Sequence, residues 1–164
     1  MTKEEFKTCF NDYFDPIRNY LYYRSGNSEL ATDIAQEVFM KIWEKNIDFE
    51  PNRTKGLLYK IASDLFVSQI RKNKVAEKYA NSLQFDLTSE SPEEVLAYEE
   101  LKTNYEKALN DLSEKQRTVF LMSRIDNLTY KEIAQRLSIS IKAVEKRMHI
   151  AITNLKKQLY NETK

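Results

Sequence analysis

One polar side of a predicted helix near the carboxyl end of the chain carries side chains that can bind nucleic acid. Lys142, Lys146 and His149 recur there at three- and four-residue spacing, so they share one face of the helix. Their cationic and hydrogen-bonding groups suit phosphate oxygens and base edges. The same spacing is also typical of a solvated face on which Glu145 partners the lysines. The pattern favours DNA binding if the rest of the chain presents this helix outward.

Residues 128–148 contain two helix starts and a tight turn, an arrangement that would hold the second helix outward. Thr129 and Glu132 have the spacing of a capping box, and Ser140 can cap a second helix. Caps so close together predict a helix-turn-helix, which usually holds its second helix towards DNA. A capped helical hairpin alone is equally compatible with a structural role. The candidate duplex contacts, which include hydroxyls at the two helix starts, are Thr129, Ser140, Lys142, Lys146, Arg147 and His149.

Residues that could support catalysis or bind a metal are scarce. Cys9 and His149 are the only cysteine and histidine, and they lie far apart in sequence. They supply neither the N/S ligands of a zinc site nor a Cys–His nucleophile pair. The chain has no glycine-rich phosphate loop. We therefore expect no enzyme activity, no metal and no cofactor.

Composition favours a helical, cytoplasmic protein. Only 2 glycines and 3 prolines occur in 164 residues, which disfavours a turn-rich β fold. No apolar run approaches the roughly 18 residues that a membrane span needs. The polar residues at positions 3–5 are unlike a signal peptide. We expect no direct membrane insertion.

The net charge of +1 conceals a strong segregation of charge along the chain. Residues 52–78 hold 7 basic and 2 acidic side chains, and residues 115–164 hold 11 and 4. Residues 79–114, in contrast, hold 2 basic and 9 acidic side chains. Basic segments attract phosphate backbones, although differently charged solvated faces would give the same distribution. The coincidence of one basic segment with the helix-turn-helix favours DNA binding.

Capping and breaking residues delimit the first helix. Thr2 and Glu5 have capping-box spacing, and Gly26 is a plausible stop. Between them lies Pro16, which should kink or split the helix.

The remaining apolar periodicity predicts two groups of helices. Residues 30–43 form a helix with a wide apolar face, and we expect Phe39 and Trp43 to pack in the core rather than to contact a partner. A loop over residues 46–55 leads to a third helix. Periodicity stops over residues 81–92, which are rich in Ser, Thr, Asp and Glu and predict a flexible acidic linker. We therefore predict an all-α fold of two small helical domains, residues 1–80 and 93–164. The second domain has about four helices and contains the helix-turn-helix.

Several segments resemble the extracytoplasmic-function (ECF) group of bacterial RNA polymerase sigma factors, in the sigma-70 family. Residues 33–43 resemble region two, and residues 58–62 with Arg71 and Lys72 resemble its promoter-melting segment. Residues 112–121 and 128–134 resemble region four. Their order and the linker make the set specific. The resemblance implies a transcription initiation factor that binds core polymerase, recognises minus-ten and minus-thirty-five promoter elements and promotes DNA melting.

The resemblance also implies roles for individual residues. Asp33, Gln36 and Glu37 match positions that face the polymerase clamp, although polar groups on any solvated helix face would look the same. The loop over residues 46–55 matches the element that holds a flipped minus-ten base. The candidate minus-ten contacts are Asn52, Arg53, Lys55, Tyr59, Lys60, Arg71, Lys72 and Lys74. Of these, Tyr59 could equally pack on the core.

The chain departs from the family pattern at several positions. Ser63 and Asp64 stand where the family commonly has Arg and Asn, and Ser68 where it commonly has Asp. Because Asp64 would repel a phosphate, we expect this surface to fit a different minus-ten sequence or strand path. Ser138 stands where a turn glycine is frequent, and it costs about 1 kcal/mol if its φ is positive.

The alternative function is a dimeric helix-turn-helix regulator that binds duplex operators. It would need a sensory N-terminal domain, for which the sequence shows no ligand pocket, and it leaves the first basic segment unexplained. A nucleic-acid-free interaction protein or an enzyme would bind no DNA. The expected partners are core RNA polymerase, duplex and single-stranded promoter DNA, and an anti-sigma factor. Because the sequence ends soon after Leu159, we expect control to act in trans.

Overall fold

A computed structural model describes the backbone of residues 1–73 and 95–162 and the side chains of residues 1–73 and 102–160. Over these residues the regular secondary structure is helical throughout, which confirms the all-α prediction. The helices are α1 (Lys3–Ser25), α2 (Ser28–Glu44), α3 (Pro51–Asn73), α4 (Val95–Asp111), α5 (Glu114–Arg124), α6 (Tyr130–Leu137) and α7 (Ile141–Glu162). None of these described helices is long and apolar enough to cross a membrane.

Helix α1 begins and ends where its capping residues predict. The Glu5 amide donates to Thr2 Oγ1 over 3.1 Å, and the Thr2 amide donates to Glu5 Oε2 over 2.7 Å. Gly26 ends the helix with a φ of 65°. The prediction that Pro16 could split the helix is wrong, because α1 is continuous from Lys3 to Ser25. Fully buried residues lie on both sides of the proline, so packing along α2 holds both halves in line.

Helices α1, α2 and α3 form the N-terminal domain around one apolar core. The predicted wide face of α2 is confirmed, since it buries seven residues that include Val38 and Phe39. Trp43, which we expected in the core, is 43% exposed. The predicted loop over residues 46–55 is shorter than expected, because Pro51 begins α3. Proline suits this first helical position, where its missing N–H would have no partner in any case.

The C-terminal domain contains α4 to α7, and its last two helices form the predicted helix-turn-helix. The Glu132 amide donates to Thr129 Oγ1 over 3.2 Å, and the Ala143 amide donates to Ser140 Oγ over 3.0 Å. Between the helices Ser138 has φ 54° and ψ 45°, so the condition of a positive φ at this turn is met. Fully buried side chains from all four helices, Leu109, Val119, Ile133 and Met148, share the core.

The two domains pack directly against each other. Helix α5 lies against α1, and α6 lies against α3. The predicted linker over residues 81–92, and with it both domain boundaries, lies outside the described residues. The contact therefore joins elements that are distant in sequence.

Candidate nucleic-acid interface

Helix α7 presents a row of exposed polar side chains away from its buried stripe. Lys142, Glu145, Lys146 and His149 are all exposed, whereas Val144 lies on the opposite side in the core. Among the described residues, neither lysine forms an ion pair with Glu145 or with any other carboxylate. Both ammonium groups are therefore available to an external anion, as a DNA-binding face requires.

The hydroxyls of Thr129 and Ser140 lie at the starts of α6 and α7. Each accepts a hydrogen bond from an amide of its own first turn and is exposed. A hydroxyl has one donor hydrogen as well as two acceptor positions, so each can still donate to a phosphate oxygen. The amide-rich helix ends add a favourable dipole for an anion.

Arg147 is separated from this exposed row. Its half-buried side chain lines a cavity of about 500 Å³ between the two domains, together with Arg24, Glu114 and Lys115. Arg147 therefore faces the N-terminal domain.

Most of the candidate minus-ten residues lie along the outer surface of α3. Asn52 and Arg53 are exposed and Lys55 is half-buried near the start of the helix, while Lys60 is exposed in its third turn. Arg71 and Lys72 are exposed in its last turn, and Lys74 lies outside the described residues. The spread along one helix provides a basic track about 30 Å long at 1.5 Å per residue.

Tyr59 is buried at the contact between the domains. It is 3% exposed, and its ring packs edge-on against Tyr20 with centroids 5.1 Å apart. Its hydroxyl accepts a hydrogen bond of 3.0 Å from Arg136 Nη1 on α6. Burial raises the pKa of Tyr59 to about 12, against the opposing effect of the Arg136 charge. A base cannot stack on Tyr59 while α6 covers it.

The candidate polymerase-binding residues Asp33, Gln36 and Glu37 are all exposed on α2. Beside them lies an apolar groove of about 520 Å³, which the sequence analysis missed because it assigned Trp43 to the core. Met40 is 59% exposed in this groove. The missed signal was the width of the apolar face of α2, which exceeds what α1 and α3 can cover. The groove is lined by Lys3, Phe6, Phe10, Gln36, Phe39, Met40 and Trp43.

Arg117 forms the most buried polar contact between the domains, and the sequence analysis did not single it out. This residue of α5 is only 7% exposed. Its Nε and Nη2 each donate over 2.8 Å, to the carbonyl oxygens of Tyr23 and Arg24, and its Nη1 donates to Leu112 over 3.3 Å. Burial lowers the pKa of Arg117 from its usual value, and the Glu114 charge opposes that shift. An arginine two residues before the apolar run 119–122 was the available signal.

Three further side-chain pairs cross the domain contact. Tyr23 donates its hydroxyl to Asp126 over 2.6 Å, Arg24 pairs with Glu114, and Arg136 donates to Tyr59. Burial raises the pKa of Asp126, against the opposing hydrogen bond from Tyr23. Desolvation and the Asp126 contact raise the pKa of Tyr23. Together these pairs bring the end of α1, the first half of α3, the start of α5 and the last turn of α6 into one interface.

Each of the two domains matches a separate region of a known protein family. Residues 9–75 match region 2 of the sigma-70 family, and residues 102–155 match region 4. The chain is 30% identical to the ECF RNA polymerase sigma factor SigW of Bacillus subtilis (strain 168) over 96% of this chain and 90% of that protein. It is 28% identical to the ferric citrate uptake sigma factor FecI of Escherichia coli (strain K12) over 86% and 83% of the two chains.

A solved structure shares the overall fold. The sigma factor RpoE in complex with the anti-sigma factor NepR, from Bartonella quintana, superposes with a TM-score of 0.64 at 22% identity. The alignment covers 96% of this chain and 98% of that one. At this identity the likeness concerns the fold alone.

Proposed function

Because this chain belongs to the ECF sigma factors, transcription initiation factors of the sigma-70 family, we propose that its two domains divide promoter recognition between them. The N-terminal domain, residues 1–80, binds core RNA polymerase and the minus-ten element. The C-terminal domain, residues 93–164, binds the minus-thirty-five element, and residues 81–92 join the two. The matches at 9–75 and 102–155 fall within these bounds and support the division.

The unpaired lysines of α7 are the observation that carries the minus-thirty-five assignment. Lys142 and Lys146 project from the second helix of a helix-turn-helix, close to its first turn, as residues that enter a major groove do. His149 can hydrogen-bond a base edge or phosphate one turn further on, and Thr129 and Ser140 can fix the phosphate backbone. Arg147 joins this set only after it leaves the cavity between the domains.

The basic track of α3 is proposed to hold the melted minus-ten strand. Exposed Arg53, Lys60, Arg71 and Lys72 can follow a phosphate backbone, as can half-buried Lys55, while Asn52 can read a base edge. Tyr59 is the aromatic side chain among the candidate minus-ten residues of α3, and it can stack on a base only when it is uncovered. Asp64 is exposed within the same helix and repels phosphate, so the strand must pass to one side of it.

We propose that the polymerase-binding face combines the polar row and the apolar groove of α2. Asp33, Gln36 and Glu37 supply polar contacts, and Glu37 lies 3.9 Å from Lys41 in an exposed pair that costs little to rearrange. Exposed Met40 and Trp43 add apolar area of the kind that anchors protein interfaces.

The chain is proposed to contribute binding and no bond-making chemistry of its own. Among the described residues no group of three or more His, Cys, Asp or Glu side chains could hold a metal ion. We place its action in the cytoplasm, where core polymerase and promoter DNA occur. An anti-sigma factor is the proposed controlling partner, since the solved relative from Bartonella quintana is bound to one.

Transcription by core polymerase tests this function. Duplexes selected from a random library by the chain–core complex would serve as templates in run-off assays with and without the chain. We expect stimulation that Lys142→Ala with Lys146→Ala reduces, while Lys156→Ala and Lys157→Ala, exposed on the far end of α7, serve as the matched control. A dimeric operator-binding regulator would instead select duplexes without core polymerase and would not stimulate transcription.

A further inference from the structure

Glu145 is an acidic residue on the exposed polar face of α7. It lies three residues after Lys142, one before Lys146 and four before His149, and all four side chains are exposed. Side chains three or four residues apart can meet on a helix surface. Among the described residues, however, Glu145 forms no ion pair or hydrogen bond with any of these neighbours. Within that part of the chain, both carboxylate oxygens are therefore available as acceptors.

A carboxylate on this face is poorly matched to a phosphate backbone. Charges of the same sign repel, and they repel more strongly where an interface excludes water. Lys142 and Lys146 suit phosphate oxygens, whereas Glu145 needs a group that donates hydrogen bonds. In the major groove of DNA, the donors are the amino groups of cytosine and adenine. The side chain of Glu145 therefore fits a base edge better than it fits the backbone.

The four bases differ in what their major-groove edges offer a carboxylate. Guanine presents two acceptors, and thymine presents an acceptor beside a methyl group, so both would repel it. Adenine presents its amino group next to the N7 acceptor, a pair that an amide matches better than a carboxylate does. Cytosine presents an amino group without an acceptor. Cytosine is therefore the base that suits Glu145 best.

Ile141 lies one turn before Glu145 along the same side of α7. Its side chain is 45% exposed at the first position of the helix. Four residues correspond to a rise of about 6 Å, which is close to two base-pair steps of roughly 3.4 Å. An apolar side chain in the major groove can contact the C5-methyl group of thymine. Ile141 is thus placed to meet a thymine within two base pairs of the cytosine.

We propose that Ile141 and Glu145 form a base-reading edge of α7, where Glu145 selects cytosine and Ile141 selects a nearby thymine. The proposal rests on the minus-thirty-five role assigned above to the C-terminal domain. Lys142 and Lys146, about 100° further round the helix, supply the electrostatic attraction to the duplex. An apolar and an acidic side chain add little to that attraction, so their contribution is to the choice of sequence.

Selection from a random duplex library by the complex of the full chain with core polymerase tests Glu145. The wild-type complex should prefer cytosine at one position of the minus-thirty-five element, on the order of tenfold over other bases. Glu145→Ala should remove that preference and leave the other positions unchanged. Glu145→Gln should move it to adenine, whose amino and N7 groups match an amide. Asp111→Asn, the matched control, removes a negative charge from an exposed residue at the end of α4 and should select the wild-type sequence.

The selected sequences separate base reading from charge repulsion. Neither substitution of Glu145 removes a contact among the described residues, so both variants should keep the wild-type helicity in circular dichroism. If Glu145 only repels phosphates, both variants will bind every duplex more tightly by one factor and retain the wild-type preference. That result, or a preference for another base at the position that Glu145→Ala affects, would overturn the proposal. A wild-type complex that selects no upstream element would refute the minus-thirty-five role itself.

Replacement of thymine by uracil in the selected duplex tests Ile141 by removing one methyl group. At a thymine within two base pairs of the cytosine, the replacement should weaken binding of the wild-type complex about fourfold in fluorescence anisotropy, the value of one buried methyl group. The Ile141→Ala complex should bind both duplexes equally, because the partner of the methyl group is already absent. Equal losses for the two complexes, or no thymine within that distance, would overturn the assignment of Ile141.

Discussion

Replacing Ser138 with glycine should stabilise the C-terminal domain. Ser138 ends α6 with φ 54° and ψ 45°, in the left-handed region where a Cβ atom crowds the following carbonyl. That conformation costs an ordinary L-residue about 1–2 kcal/mol. Glycine removes the cost but gains about 0.5–1 kcal/mol of backbone entropy in the unfolded chain. The expected net gain is therefore about 0.5–1 kcal/mol in the free energy of unfolding.

Calorimetry of the full chain provides the assay for Ser138→Gly. For a domain of this size the gain corresponds to an increase of roughly 3–6 °C in its unfolding temperature. Ser138→Ala is the control, since it removes the exposed hydroxyl and retains the Cβ atom, and it should give no increase. Asn127→Gly provides a second comparison, because Asn127 also has a positive φ of 55° but asparagine tolerates this region well. A glycine variant no more stable than the alanine variant would refute the strain argument.

Three further predictions concern the interfaces. Lys146→Ala should weaken duplex promoter binding by roughly 1–3 kcal/mol if the side chain contacts a base, whereas Lys156→Ala should not, as measured by fluorescence anisotropy across a salt series. Burial raises the pKa of Asp126, so its contribution to stability is complete below the ordinary carboxyl pKa and is lost as pH rises through the raised value. Asp126→Asn, which keeps an acceptor for Tyr23, should flatten this dependence in thermal unfolding between pH 4 and 7; an unchanged profile would exclude Asp126 as its source. Met40→Ala should weaken core polymerase binding several-fold in a pull-down titration at an unchanged unfolding temperature, because Met40 is 59% exposed; equal binding would remove the groove from the polymerase face.

Local features of this fold could be predicted because their causes are local. Thr2 and Thr129 cap helices through groups three residues away, and Gly26 and Ser138 adopt left-handed conformations at helix ends. Such caps and turns depend on backbone geometry within one helical turn, so they can be predicted from the local sequence. Helix α1 is continuous through Pro16 for the opposite reason, since tertiary packing on both sides outweighs a local penalty.

The contact between the domains was not predictable from spacing. Tyr23 and Asp126 are 103 positions apart, and no periodic pattern relates two such residues. The same limit applies to Tyr59, whose position in an amphipathic helix fits a buried or a base-stacking side chain equally well. Exposure of the α7 lysines, in contrast, followed from the apolar stripe on the opposite side of their helix.

Because Arg117 of the C-terminal domain caps α1 of the N-terminal domain, a ligand that changes this contact from one domain also changes it for the other. Thermodynamic linkage is reciprocal: if binding of core polymerase to the N-terminal domain favours release of α5, then release must favour polymerase binding by the same factor. Promoter DNA at α7 and polymerase at α2 would thereby bind cooperatively without touching each other. The free energy of the contact between the domains sets the upper limit of that cooperativity, so a variant whose domains no longer pack together should lose the coupling between the two ligands.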